Sequence, residues 1–398
     1  MAKVYSNALQ ETLDVDRIIG HLVGDKDGPT LVFFAGIHGN EPAGVFALKQ
    51  VISELQSHQV PILGQLYAIA GNLSALSQKT RFAEMDLNRI WTSENLQKVS
   101  KNVDPKSQDE REMRELYKLL EAILEQNRPP YYFIDLHTTS SDTPPFMVLN
   151  DSLLNRKFAA QYPLPIILGI EEYLVGALLS YINELGYVSL GFESGRHEAS
   201  AAIKNCRDFI HFTLGITDLV EYPREKMTAL QAKIAASSRV SSKFYEIIYQ
   251  HEITDENRFK MLPGFVNFQK VPRGTVLAMD KGTMLTTQRN RRIFMPLYQE
   301  LGSEGFYYIR SIPNILLWVS KVLRRFRIDH LLVLLPGIQW NSVQKQGLLV
   351  NQRIARFMAR PFFHLLGYRT RKSDSTHLLV ESRERASRNT DYKGTGWF

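Results

Sequence analysis

At 398 residues the chain has room for two or three domains of about 150 residues each. Hydrophobic residues make up 44% and charged residues 22%, a globular composition that excludes a disordered, collagen-like or disulfide-scaffold protein. With 48 basic against 41 acidic side chains the net charge is +7, mild for this length; it suits an anionic substrate and demands neither nucleic acid nor a membrane. The lone cysteine, Cys206, rules out an internal disulfide and a thiolate-rich metal site, and is expected to be buried and inert. The first 25 residues carry scattered acids and no apolar core of the kind a secretory signal needs. No run reaches the roughly 18 apolar residues of a spanning helix. A cytoplasmic location is the resulting expectation.

In chain order, residues 31–35 form an apolar run of buried-strand length, and residues 43–55 place Val45, Leu48, Ile52 and Leu55 at helical spacing. Residues 65–70 are strand-like again and close on Gly71-Asn72. Residues 109–126 predict a helix with Met113, Leu116, Leu120, Ile123 and Leu124 in one stripe. Pro129-Pro130 ends it, and a strand over 131–136 follows. Shorter strands are expected over 146–149, 165–168 and 187–193, and a helix near 197–220. Residues 1–225 therefore read as an α/β domain with helices on both faces of a mixed, mostly parallel sheet. Residues 226–310 read as a small appended β-rich domain, with strands near 265–268, 275–279, 284–287 and 292–295 and turns at Pro263-Gly264, Arg273-Gly274 and Lys281-Gly282. Residues 311–398 are a C-terminal extension without a clear pattern. Its polar, arginine-rich end beyond Arg369 is expected to be flexible, and Lys321–Arg327 is expected to be the basic face of a helix packed on the body, the alternative being a segment that lies on a membrane surface or binds an acidic partner.

Chemistry is suggested where strands stop. Gly36-Ile37-His38-Gly39-Asn40-Glu41 follows a buried strand and enters a helix, at the carboxyl end where open α/β sheets bind ligands. His38 and Glu41 are donors of the kind zinc takes, and the flanking glycines let the backbone bend close to a site. A second strand ends in Asp135-Leu136-His137, with both polar groups on one strand face. His38, Glu41 and His137 would complete the three protein ligands of a catalytic zinc, with Asp135 orienting an imidazole. A third apolar run ends at Glu193 between Gly191 and Gly195. Beside a metal such a carboxylate can move a proton. Between the first two sites, Arg81, Asn88 and Arg89 can neutralise a carboxylate and polarise a carbonyl.

The motifs G-x-H-G-N-E-x-x-G, T-R-x-x-x-x-D-L-N-R, D-L-H and G-x-E-x-G, in this order, resemble those of the succinylglutamate desuccinylase and aspartoacylase family, a branch of the zinc-carboxypeptidase-like fold. The resemblance spans roughly residues 28–310. It implies one Zn2+ per chain on His38, Glu41 and His137, and Glu193 as general base and acid. Arg81 would polarise the scissile carbonyl, and Asn88 and Arg89 would hold a substrate carboxylate. Pro296-Leu-Tyr298 and Tyr307-Tyr308 are similar to the family's substrate-facing segment, which makes Tyr307 a candidate contact. In the resembled family the β-rich part narrows the cleft and admits only small substrates. One departure is Asn183, ten residues before Glu193, where aspartoacylases are expected to carry an arginine that clamps an acidic side chain. The implied activity is zinc-dependent hydrolysis of the amide of a small N-acylated amino acid or related amine. The rivals are a carboxypeptidase acting on short peptides and a non-catalytic zinc- or ligand-binding homologue. No nucleic-acid partner is expected, and a homo-oligomer is compatible with the sequence.

Overall fold

The run at residues 31–35 is a strand because each of its side chains has a buried place to go on one face of a sheet or the other. The computed structural model describes residues 1–24, 27–254, 258–341, 347–351, 365–372 and 377–398. Three short strands open the chain, β1 (Ala2–Ser6), β2 (Glu11–Val15) and β3 (Ile18–Val23). Then come β4 (Thr30–Ala35), α1 (Ala43–Ser57), β5 (Gln65–Ala70), α2 (Leu73–Gln78), α3 (Ser93–Ser100), α4 (Gln108–Gln126) and β6 (Tyr131–Thr139). The next stretch holds β7 (Phe146–Leu149), α5 (Leu153–Ala159), β8 (Ile166–Leu168), α6 (Leu178–Glu184), β9 (Val188–Arg196), α7 (Ser200–Ile216) and α8 (Arg224–Ser238).

Alternate residues of β4 split between two cores, as the two-residue period of a strand requires. Leu31, Phe33 and Ala35 pack with Val45 and Leu48 of α1 and Phe209 and Ile210 of α7. Val32 and Phe34 pack on the other face with Met113, Leu116, Leu120 and Ile123 of α4. Strands β5, β4, β6 and β9 are parallel neighbours, so their carboxyl ends share one edge of the sheet. That edge carries the site.

The stretch set apart in sequence as an appended domain extends this same sheet. It contains β10 (Phe244–Glu252), β11 (Phe259–Met261), β12 (Lys270–Val271), β13 (Val276–Asp280), β14 (Thr283–Thr286), β15 (Arg291–Phe294) and β16 (Glu304–Ser311). β10 pairs in parallel with β8 and antiparallel with β16, giving eleven strands in the order β12-β15-β16-β10-β8-β7-β9-β6-β4-β5-β3. β11, β13 and β14 form a separate small sheet. Residues 265–268, expected as a strand, are turns. Gly264 and Phe268 both have positive φ, and the N–H groups of Phe265 and Val266 donate to the Tyr298 hydroxyl and the Gln269 side chain instead of a ladder.

The extension holds α9 (Asn314–Arg325) and an antiparallel sheet of β17 (Ile338–Trp340), β18 (Gly347–Asn351), β20 (His377–Ser382) and β19 (Tyr368–Lys372), with its own core around Leu348, Tyr368 and Val380. The expectation of a flexible tail is corrected here. Tyr392 is fully buried, accepts from the Val188 N–H at 3.0 Å and donates to the Tyr131 carbonyl; Trp397 Nε1 donates to the Tyr132 hydroxyl at 3.0 Å. Two aromatics with polar tips are enough to pin a polar segment into the catalytic half's core. Arginines of the extension are also internal. Arg324 pairs with Asp151 at 2.9 Å and Glu384 at 3.0 Å, and Arg383 pairs with Glu171 at 2.6 Å. Cys206 lies buried in α7 as expected.

Candidate active site

Backbone chemistry shapes the first loop. β4 ends at Gly36, whose φ of +69° turns the chain away from the strand direction, a conformation glycine adopts without steric cost. Gly39 passes so close to α2 that a Cβ there would sit 2.0 Å from the Ala75 carbonyl carbon. The loop then enters α1 behind Pro42, leaving His38 and Glu41 buried at the sheet edge. On β6, Asp135 and His137 share the strand face opposite Ile134 and Leu136. The parallel register sets His137 beside Glu193 of β9.

The three donor side chains meet. His38 Nδ1 lies 2.8 Å from Glu41 Oε1, and His137 Nδ1 lies 3.1 Å from Glu41 Oε2. One donor atom from each of the three residues falls within 4.8 Å of the others. Both outward nitrogens are held by acids: His137 Nε2 by Asp135 at 2.6 Å and His38 Nε2 by Asp86 at 3.2 Å. Imidazoles whose inner nitrogens converge while their outer nitrogens rest on carboxylates have the arrangement of metal-ligating histidines. Two nitrogens and a carboxylate, buried and open on one side to a cavity, fit a tetrahedral zinc with one free position.

The electrostatics follow from this crowding. Burial works to raise the Glu41 carboxyl, but His38 and His137 on either side hold it well below the usual carboxylate range. Burial likewise opposes charge on His137, yet Asp135 and Glu41 raise it well above the ordinary histidine value. Asp86 is held low against its own burial by His38 and Arg81. Glu193 goes the other way. Burial pushes its carboxyl up to about 8; Glu41 and Asp135 add to this, while His137 and Arg81 oppose it. Its Oε2 is buried without a hydrogen-bond partner among the described residues.

All eight residues singled out in sequence, His38, Glu41, Arg81, Asn88, Arg89, His137, Glu193 and Tyr307, line one cavity of about 140 Å³. Arg81 pairs with Asp86 at 3.1 Å and approaches Glu41 to 3.8 Å. Asn88 accepts the Leu178 N–H, and Arg89 pairs with Glu304 at 3.0 Å. Asn183 is not among the lining residues; α6 presents Leu179 and Ser180 instead. Sequence reasoning missed three participants. Asp86 stood inside the quoted T-R-x-x-x-x-D-L-N-R motif, so a signal was there. His197 has no partner at metal-ligand spacing in the sequence, yet it lines the cavity, bonded to Thr138 at 2.7 Å and Gln299 at 3.0 Å. Glu304 gave no signal, because only the pairing of β16 with β10 carries it to the site.

A buried pair of histidines and a carboxylate with a further acid alongside, at the carboxyl edge of an α/β sheet, is a constellation that could hold a metal ion. Residues 27–193 match the family model described as the succinylglutamate desuccinylase/aspartoacylase catalytic domain. A succinylglutamate desuccinylase of Pseudoalteromonas atlantica is 24% identical over 272 residues, 65% of this chain and 73% of that protein. The crystal structure of a succinylglutamate desuccinylase/aspartoacylase from Rhodobacter sphaeroides shares the fold with a TM-score of 0.56 at 18% identity, over 78% of this chain and 94% of that one. A succinylglutamate desuccinylase structure from Chromobacterium violaceum gives 0.53 at 15% identity, over 74% and 88%. Residues 27–193 thus match the catalytic domain of the succinylglutamate desuccinylase/aspartoacylase family, whose named members are amide-hydrolysing enzymes.

Proposed function

We propose that this protein is a zinc-dependent deacylase that hydrolyses the amide bond of a small N-acylated amino acid or related amine, and that it acts in the cytoplasm. The observation that carries the reading is the convergence of His38, Glu41, His137 and Glu193 on one cavity. A zinc ion held by His38, Glu41 and His137 would bring the pKa of its water toward neutrality and polarise an acyl carbonyl. Glu193, raised by burial and with its Oε2 free of hydrogen-bond partners among the described residues, is the group we assign to take a proton from water and return it to the departing amine. Arg81, fixed by Asp86, aims its positive charge where an oxyanion develops. Asn88 and Arg89 would hold a substrate carboxylate, with Tyr307 as a further candidate contact.

The remaining wall of the cavity narrows the substrate class. Val148, Ile170, Leu174, Leu179 and Leu297 face it, and among the described lining residues the lysine and arginine side chains are Arg81 and Arg89. A second acidic group on the substrate would meet no further lysine or arginine among these described residues, so the substrate's other arm is not acidic. Amine release from N-acetyl and N-succinyl amino acids, with acidic and with aliphatic arms, is to be measured on the zinc-loaded protein beside release from dipeptides. Turnover of the aliphatic N-acyl compounds supports the reading. Preference for dipeptides would make the chain a carboxypeptidase, and ligand binding in calorimetry without any product would make it a binding protein.

A further inference from the structure

The two sides of α9 face different surroundings. Ser320 and Arg324 turn inward, the serine donating to the Leu365 carbonyl at 2.7 Å and the arginine pairing with Asp151. Outward, Ile315, Trp318, Val319, Val322 and Phe326 follow one another at helical spacing, within an arc of about 100° given some 3.6 residues per turn. None of these five is buried; Trp318 is 60% and Phe326 69% exposed. The apolar surface continues through the turn Ile328–Leu334, where Leu331 is 57% and Leu334 78% exposed. Exposed apolar surface that is contiguous in this way marks a contact site.

Its border is basic. Lys321 and Arg325 stand on the Trp318 side of the stripe and Arg327 follows, all exposed. Across residues 314–339 the sequence offers Asp329 as its single acid. Lys157 of α5 adds to the cluster: burial lowers its pKa, and the neighbouring Lys321 and Arg325 lower it further.

We propose that this face is a peripheral docking surface for an anionic lipid bilayer. Trp318, Phe326, Leu331 and Leu334 would enter the boundary between headgroups and acyl chains, while Lys321, Arg325 and Arg327 meet the anionic headgroups. A second copy of the chain fits less well, because a two-fold contact brings together two faces with basic borders and, across residues 314–339, a single acid on each to answer them. With 12 residues α9 is too short to span a bilayer, and no described helix is long and apolar enough to do so. The surface lies outside residues 27–193, and the proposal stands apart from the deacylase reading.

The test is co-sedimentation of the full chain with vesicles of phosphatidylcholine alone and of phosphatidylcholine mixed with phosphatidylglycerol. Binding to the anionic vesicles is expected, weakening as salt rises to about 0.5 M. Trp318→Ser with Phe326→Ser should reduce that binding at least about tenfold. Lys321→Gln with Arg325→Gln should cost about fivefold for each charge removed and abolish the preference for phosphatidylglycerol. Thermal unfolding unchanged from the parent confirms that each variant is folded. Absence of binding to anionic vesicles overturns the proposal, as does binding that both variants retain. A concentration-dependent dimer in light scattering that the Trp318/Phe326 variant dissolves assigns the face to self-association and overturns it equally.

Discussion

A buried carboxylic acid with one oxygen unpartnered among the described residues costs stability, and Glu193 keeps this place within β9 with its pKa pushed up to about 8 by burial. The arrangement suits proton transfer and has no packing merit. Glu193→Gln keeps the shape and removes the base, so amide hydrolysis should fall at least about 100-fold. Metal content by elemental analysis should be unchanged, since Glu193 is not among the three converging donors; loss of metal together with activity would make the residue structural. Asp135 and Asp86 have the complementary role. Each touches the outer nitrogen of one histidine and not the cavity-facing one. Asp135→Asn and Asp86→Asn should each weaken zinc binding by about 10–100-fold, measured by competition with a chelator. Unaltered zinc affinity in both would remove the orienting role assigned to them.

At the scale of elements, the loop from β4 to α1 depends on closeness of backbones. A Cβ on Gly39 would meet the Ala75 carbonyl carbon at 2.0 Å and its oxygen at 2.1 Å, with no flexible side chain to yield, so the loop or α2 must move. A Cβ on Gly36 would meet the Leu76 side chain at 2.8 Å, which can rotate, and would add the left-handed strain of about 1–2 kcal/mol. Gly39→Ala is therefore expected to lower the melting temperature more than Gly36→Ala and to lose bound zinc, both readable in one thermal scan with and without metal. The converse order would contradict the packing argument. Glycines and strand ends are also why this part of the site was legible in the sequence. Buried runs such as 31–35 and 131–136 announce their strands, and polar groups at their ends stand out. β2 and β3 escaped notice because their side chains are largely solvated, Glu11–Val15 having one buried residue in five; β1 buries three of five, but two of those are the small Ala2 and Ser6. His197 and Glu304 escaped because tertiary pairing, and no local spacing, brings them in.

For the whole molecule, the extension is stitched to the catalytic half by buried charge as well as by Tyr392 and Trp397. Composition made residues beyond Arg369 look like solvent-facing tail, and nothing local reveals that Arg383 and Glu384 have partners more than 200 residues away. The centre of this seam is Asp151, paired with Arg156 and with Arg324 at 2.9 Å. Burial alone would raise its carboxyl, but the two guanidinium groups hold it well below the ordinary range. In the unfolded chain it titrates near its usual value of about 3.9, so the unfolded state takes up the proton first. The stability drawn from the pair is thus complete above about pH 4 and disappears as the pH falls from there through the folded value. Asp151→Asn leaves two arginines facing a neutral amide and should cost about 3–5 kcal/mol at pH 7. Denaturant unfolding of parent and variant at pH 7 and again near pH 3 checks this. The gap between them should shrink in acid, where the unfolded parent takes up a proton that the folded parent still excludes. A gap of constant size at both pH values would mean that the aspartate acts there by shape and hydrogen bonding, without its charge.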